Sequence, residues 1–310
     1  MNDALPLWTA IAAGMIRSAT PVLLATVGEC ITERAGVLNL GLEGVMLAGA
    51  LSAVAVSYST HNVALALTAA MLVGTICGLL HAFLCIRFQA NQVASGIALT
   101  ILLSGVTAFL GADFVGKPIQ SISAFKIPWI GDIPVIGSIL FNQDSLVYFC
   151  YLIVPVTYWL INHTRFGLSL RAAGEEPRAA AAAGINVRRV RYICTMLGAS
   201  LAALGGAYLS LVYAQGWIEN ITAGRGWVAV GLVMFAAWNP WRALIGAYLF
   251  GLAISLQLRL QAAGCDVSPY LLGMLPYLLV ILAMAISSTI SRNKPQSTPT
   301  ALGIPYAEQI

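Results

Sequence analysis

Two stretches of this chain, residues 145–164 and 192–218, contain no charged side chain. Each is long enough to cross a bilayer as a helix, which takes about 20 residues for a hydrocarbon layer of ~30 Å. Between them, residues 163–191 read HTRFGLSLRAAGEEPRAAAAAGINVRRVR and hold six of the chain's sixteen Lys and Arg residues and two of its twelve acids. A basic segment between two uncharged runs is a loop joining two membrane spans. The rest of the chain is built alike: 59% of residues are hydrophobic and 9% charged, where a soluble domain has roughly 25% charged. No core in water hides that much apolar surface. The expected fold is therefore all-α, a polytopic membrane helix bundle of about eight or nine transmembrane spans.

A short helix is expected inside the loop. Gly174, Glu175 and Glu176 lead into it, Pro177 suits its first turn, and the two acids complement the positive end of its dipole. The run Arg178, Ala179, Ala180 through Ala183 is nearly all alanine, and Gly184 suits a left-handed stop. Small side chains allow close approach, so such a helix fits another protein's groove; an ordinary positive-inside loop is the plain alternative. The net charge of +4 reports orientation and not nucleic-acid binding. Positive-inside places 163–191 in the cytoplasm and residues 113–144, one span earlier, outside. That outer segment, with Pro118, Pro128 and Pro134, reads as a connector, a lid or a docking surface. Residues 1–291 form one transmembrane domain. Arg292 and Lys294 lie inside, and 292–310 is expected to be a disordered cytoplasmic tail.

Polar residues inside apolar sequence are the functional candidates. Residues 29–50 place Glu29, Glu33, Arg34, Asn39 and Glu43 in or beside a span punctuated by Gly36, Gly41 and Gly44. That is the pattern of a helix broken at membrane depth, where irregular backbone is tolerated against protein or a water-filled path. Asn39 and Glu43 share a helix face and are expected to line or gate a pathway; Glu29, Glu33 and Arg34 are expected to form a structural ion-pair cluster. Asn91 and Gln92, at the start of another span, are read as caps or as pathway residues. Residues 226–238 are short for a crossing and are broken by NPWR at 239–242. The six cysteines are scattered singly, so neither a disulfide framework nor a metal site is expected.

Three stretches resemble one family. TERAGVLNLGLEGVMLAGA (32–50), RFGLSLRAAGEEPRAAAAAGINV (165–187) and AGRGWVAVGLVMFAAWNPWRALIGAYLFG (223–251) are similar to segments of ABC-importer permeases for nucleosides and simple sugars, within the wider ribose and branched-chain amino acid permease group. The wording ERAGVLNLGLEG is closest to the nucleoside type. One departure is Glu175–Glu176–Pro177, where the family usually has Asn before the proline.

The resemblance implies a transport subunit without chemistry or a cofactor of its own. Its partners would be a second permease, in a heterodimer, an ABC ATPase using ATP and magnesium, and an extracytoplasmic binding protein. It would sit in the bacterial plasma membrane among lipid, with 163–191 as the coupling segment. The chain agrees in lacking a GxxxxGK[ST] phosphate loop. A nucleoside suits aromatic groups beside amides and a carboxylate, which adds Trp217 and Trp227 to Asn39, Glu43, Asn91 and Gln92 as lining candidates. The alternatives are a simple-sugar permease and, from another class, an ion-coupled transporter using Glu29, Glu33 and Glu43. An intramembrane enzyme is disfavoured because His61, His81 and His163 are dispersed.

Overall fold

The computed structural model describes residues 7–264, 268–291 and 298–305. Cys265, Arg292 and Lys294, and with them residues 292–297 and 306–310 of the expected tail, lie outside the described residues. The helices are α1 (Leu7–Arg34), α2 (Leu42–Thr60), α3 (Val63–Ala82), α4 (Gln92–Gly111), α5 (Ile136–Leu140), α6 (Ser145–His163), α7 (Arg165–Glu175), α8 (Pro177–Ala182), α9 (Val187–Tyr208), α10 (Arg225–Ala236), α11 (Pro240–Ala262) and α12 (Pro269–Ser291). Seven are long and apolar enough to cross a membrane, and Arg225–Ala236 and Tyr270–Ala285 are shorter apolar helices. Together they fit the eight or nine spans expected.

Two boundaries differ from the sequence reading. α1 runs unbroken to Arg34 with Pro21 inside it, so Glu29, Glu33 and Arg34 are helical. The break expected around 30–50 falls wholly in residues 35–41. The loop 163–191 holds two helices, α7 and α8, where one was expected.

Packing divides the bundle into two similar halves. α1 packs chiefly on α9 and α11, while α9 packs chiefly on α1 and α3. The two central helices run antiparallel: Gly28 meets Gly198, and Gly205 meets Pro21. In each half a long helix is followed by a returning loop (35–41 or 214–224) and a second helix (α2 or α10). The two helix–loop–helix units start from helices that run in opposite directions. Small residues let the backbones meet. A side chain at Gly206, for example, would place its Cβ 1.8 Å from the Met46 carbonyl oxygen.

Residues 113–144 cover the end of the bundle opposite α7 and α8. They form a two-residue antiparallel ladder, Phe125–Lys126 with Asn142–Gln143, and the short helix α5. Lys126 pairs with Asp132 in this segment. It is tied down by Ile122 N–H to the Leu211 carbonyl, by the Ser57 hydroxyl to the Gln120 carbonyl, and by Arg17 to Gln143 and Asn142.

Candidate functional site: a broken-helix junction and a basic segment

The returning loop 35–41 carries irregular backbone inside the bundle, so its polar groups need protein partners. Side chains from three helices supply them. The Leu38 N–H donates to Gln92 Oε1 at 2.6 Å, and the Leu38 carbonyl accepts from His81 Nε2 at 3.0 Å. A carbonyl only accepts, so the His81 proton sits on Nε2, and Nδ1 faces the Ser95 hydroxyl at 3.1 Å. The Asn39 N–H donates to Glu29 Oε1 at 2.9 Å, and the Thr100 hydroxyl donates to the Leu40 carbonyl at 3.2 Å. Asn39 closes a turn by accepting the Gly41 N–H on Oδ1 at 2.9 Å.

The loop delivers Glu43 into the first turn of α2, buried beneath the start of α10. Its Oε1 accepts the Thr222 hydroxyl and the Gly224 N–H at 2.8 Å; its Oε2 accepts the Gly226 N–H at 2.7 Å. The first N–H groups of a helix have no partner within it and carry the positive end of its dipole. One carboxylate therefore sits at the positive ends of two helices, its own and α10. Gly226 makes the approach possible, since a Cβ there would lie 2.5 Å from the Glu43 backbone. α10 has only 12 residues, about 18 Å at 1.5 Å per residue. It ends at Ala237 and Trp238, both with positive φ, before Asn239 caps α11 through Trp241 N–H.

Glu29 and Glu33 are fully buried, but they form no ion pair with Arg34 among the described residues. The expected cluster is corrected on this point. Glu29 holds the Asn39 N–H, and Glu33 Oε2 accepts the Trp238 Nε1–H at 2.6 Å. Arg34 lies at the end of α1, where Gly174 of α7 meets its carbonyl.

A cavity of about 600 Å³ opens between α1, α9, α11 and residues 122–124, lined among others by Arg17, Asp144, Tyr208, Tyr213, Gln215 and Arg259. The Tyr208 hydroxyl donates to Asp144 Oδ2 at 2.9 Å, while Oδ1 caps α6 through the Leu146 and Val147 N–H groups. None of the six lining candidates from the sequence borders this cavity. Asn39, Glu43 and Gln92 are ties within the broken-helix junction. Asn91 caps α4 through the Ala94 N–H. Trp217 is buried against Gly111, and Trp227 is half-exposed on α10. The sequence reading missed His81, Thr100 and Thr222. A histidine inside an apolar span was the available signal; the two threonines gave none.

At the other end, the Thr164 hydroxyl caps α7 through the Gly167 N–H at 2.9 Å. Gly174 fits against α1 because a Cβ there would stand 2.1 Å from the Arg34 carbonyl oxygen. Arg191 of α9 is buried and donates from Nη2 to the Ala173 carbonyl at 3.3 Å. Pro177 opens α8, and Gly184 follows it in the left-handed region at φ 84°. Glu175, Glu176, Arg178, Ala179, Ala183 and Gly184 are exposed. Ala180 is buried and faces inward, so it supports α8 and does not belong to an outward docking face. Glu176 makes no side-chain cap, and Glu175 turns its carboxylate to the Thr300 N–H at 3.3 Å.

Residues 11–284 match the family described as "Branched-chain amino acid transport system / permease component". The putative glucose ABC transporter permease protein of Haloferax volcanii is 42% identical over 258 residues, which is 82% of this chain and 78% of that protein. The guanosine ABC transporter permease protein NupQ of Bacillus subtilis is 34% identical over 93% of each chain. A second guanosine ABC transporter permease protein of Bacillus subtilis, NupP, is 24% identical over 76% of this chain and 70% of its own.

Proposed function

This chain belongs to the branched-chain amino acid transport permease family and is a multi-pass permease subunit of an ABC transporter, and on that premise we propose that it imports nucleosides. As a permease subunit it is not itself an enzyme. The observation that carries the nucleoside reading is the match to the guanosine permease along nearly the whole of both chains. The cavity beside residues 122–124 supports it. Tyr213 offers aromatic surface, while Arg17, Gln215 and Arg259 offer donors, a mixture suited to a flat base and a polyhydroxyl sugar. A simple sugar is the second reading, favoured by the 42% identity to the putative glucose permease.

Positive-inside places α7, α8 and residues 298–305 on the cytoplasmic side of a plasma membrane, with 113–144 outside. The exposed alanine face of α8 then docks a separate ATPase, which holds ATP and magnesium; this chain needs no cofactor. Residues 113–144 receive an extracytoplasmic binding protein. Similarity to both guanosine permeases of one organism, 34% and 24% identical, supports a heterodimer with a second permease. Closure of the ATPase pushes α7–α8; α6 and α9 follow, and the two broken-helix halves rock about the Glu43 junction between outward- and inward-open states. Substrate biases that change only through its different affinities for the two states.

Uptake of labelled guanosine, uridine and glucose into proteoliposomes holding both permeases, the ATPase and the binding protein tests the reading. ATP-dependent guanosine uptake that unlabelled glucose does not compete supports it. ATP-dependent uptake of glucose alone replaces nucleoside with sugar. Gradient-driven uptake by this chain without the ATPase contradicts the coupling scheme.

A further inference from the structure

Residues 298–305 form a turn against the docking segment. The Ala301 N–H donates to the Gly174 carbonyl at 2.9 Å, the Thr300 N–H to the Glu175 carboxylate at 3.3 Å, and the Thr300 hydroxyl to the Glu175 carbonyl. These bonds satisfy carbonyls at the C-terminal end of α7, which a helix leaves without internal partners. Ala301 is buried, and its carbonyl lies beside Gly36, where the Arg191 guanidinium also sits.

Leu302 packs on the cluster of Cys30, Val233, Ala236, Trp238 and Ala243. Trp238 stands at the break between α10 and α11 and holds Glu33 of α1 through its indole N–H. One short segment thus touches the end of α7, the start of the returning loop 35–41 and the base of half-helix α10. α7 and α8 themselves pack chiefly on α6, α9 and α1, so the turn adds a link from the docking segment to α10.

We propose that residues 298–305 are a strut that carries movement of α7–α8 to α10, with Leu302 as its positioning residue for coupling ATP hydrolysis to transport. The proposal rests on α7–α8 being the ATPase docking segment. α10 begins at the Glu43 junction, so a push at Trp238 reaches that junction along a single rigid 12-residue helix. α9 joins α10 through residues 209–224 at the Glu43 end, whereas the strut reaches α10 at its opposite end.

The test is the number of substrate molecules moved per ATP hydrolysed in proteoliposomes of the complete transporter. The variants are Leu302→Ala, Leu302→Met and a chain lacking residues 298–310. The strut predicts that Leu302→Ala keeps the ATPase bound and hydrolysing but lowers the ratio by about fivefold or more, the effect of roughly 1 kcal/mol of coupling. Leu302→Met, which refills the contact, recovers most of the ratio, and the truncated chain lowers it at least as far as Leu302→Ala. An unchanged ratio in Leu302→Ala overturns the strut. So does equal loss of the ATPase from the complex in both Leu302 variants, which would make the turn an assembly element only. If the unaltered chain binds no ATPase, the docking reading fails and takes the strut with it, an outcome separate from an altered ratio in an intact complex.

Discussion

Glu43 Oε2 accepts the Gly226 backbone N–H at 2.7 Å, joining residues 183 positions apart in sequence. Through this contact the first turn of α2 and the first turn of α10 share one carboxylate, and the two halves of the bundle are pinned where both are broken. Glu43→Gln keeps the shape but swaps an oxygen for an NH₂ group, which faces either the Gly226 N–H or the Thr222–Gly224 donors. Thermal unfolding of the purified protein in micelles should show a loss of about 1–3 kcal/mol, the cost of an unsatisfied buried donor, with transport reduced alongside. An unchanged midpoint would mean that the carboxylate is not holding the junction.

Gly226→Ala tests the closeness of the same approach. Its Cβ would stand 2.5 Å from Glu43 backbone atoms, which yield only if a helix moves, so a cost of about 1–3 kcal/mol is expected from overpacking. Gly231→Ala on the same helix is the control. There the nearest atom is Met284 Sδ at 3.6 Å, an ordinary contact, and the substitution should leave unfolding unchanged or slightly raised. Equal behaviour of the two variants contradicts the packing argument.

Along α8 the outward and inward alanines should separate. Ala179→Trp and Ala183→Trp lie on exposed positions; they are expected to leave unfolding within about 0.5 kcal/mol of the parent, as surface changes do, while abolishing ATP-driven uptake. Ala180→Trp enters a buried position and should reduce folded yield before any question of docking arises. Full uptake by both exposed variants would remove α8 from the ATPase interface.

Trp238→Phe keeps an aromatic ring, though a smaller one, and deletes the indole donor to Glu33 Oε2. Glu33 is fully buried, so leaving its oxygen unpaired should cost about 1–3 kcal/mol in denaturant unfolding. An unaltered stability would show that the bond adds nothing to the joint between α1 and the α10–α11 break.

The fold class was legible because apolar length alone decides it: uncharged runs such as 145–164 admit little but membrane helices. The break near 30–50 and the short segment 226–238 were also legible, through glycines and NPWR in sequence that otherwise reads as span. Their connection was not. Glu43 reads as a lining carboxylate when its partners, the N–H groups of Gly224 and Gly226, are backbone atoms far along the chain. Glu29 and Glu33 invite pairing with the adjacent Arg34, yet each takes one distant neutral donor instead, a backbone N–H and an indole. Local spacing offers nearby charges and is silent about distant neutral donors. Ala180 was assigned to docking for a similar reason: an alanine run has no polar face from which to read its inner side. The contacts of residues 298–305 run against a composition of prolines and small polar residues that reads as disorder.

The account depends most on α8 lying at the cytoplasmic surface, under the ATPase. The direct measurement is labelling of Ala183→Cys by a membrane-impermeant maleimide. Native Cys30, Cys77, Cys85, Cys150 and Cys194 are buried, and a parent chain labelled in parallel supplies the background. The account predicts labelling in inside-out vesicles, none in intact cells, and protection when the ATPase is bound. Labelling of Ala183→Cys in intact cells, or labelling in inside-out vesicles that the bound ATPase does not diminish, would contradict it.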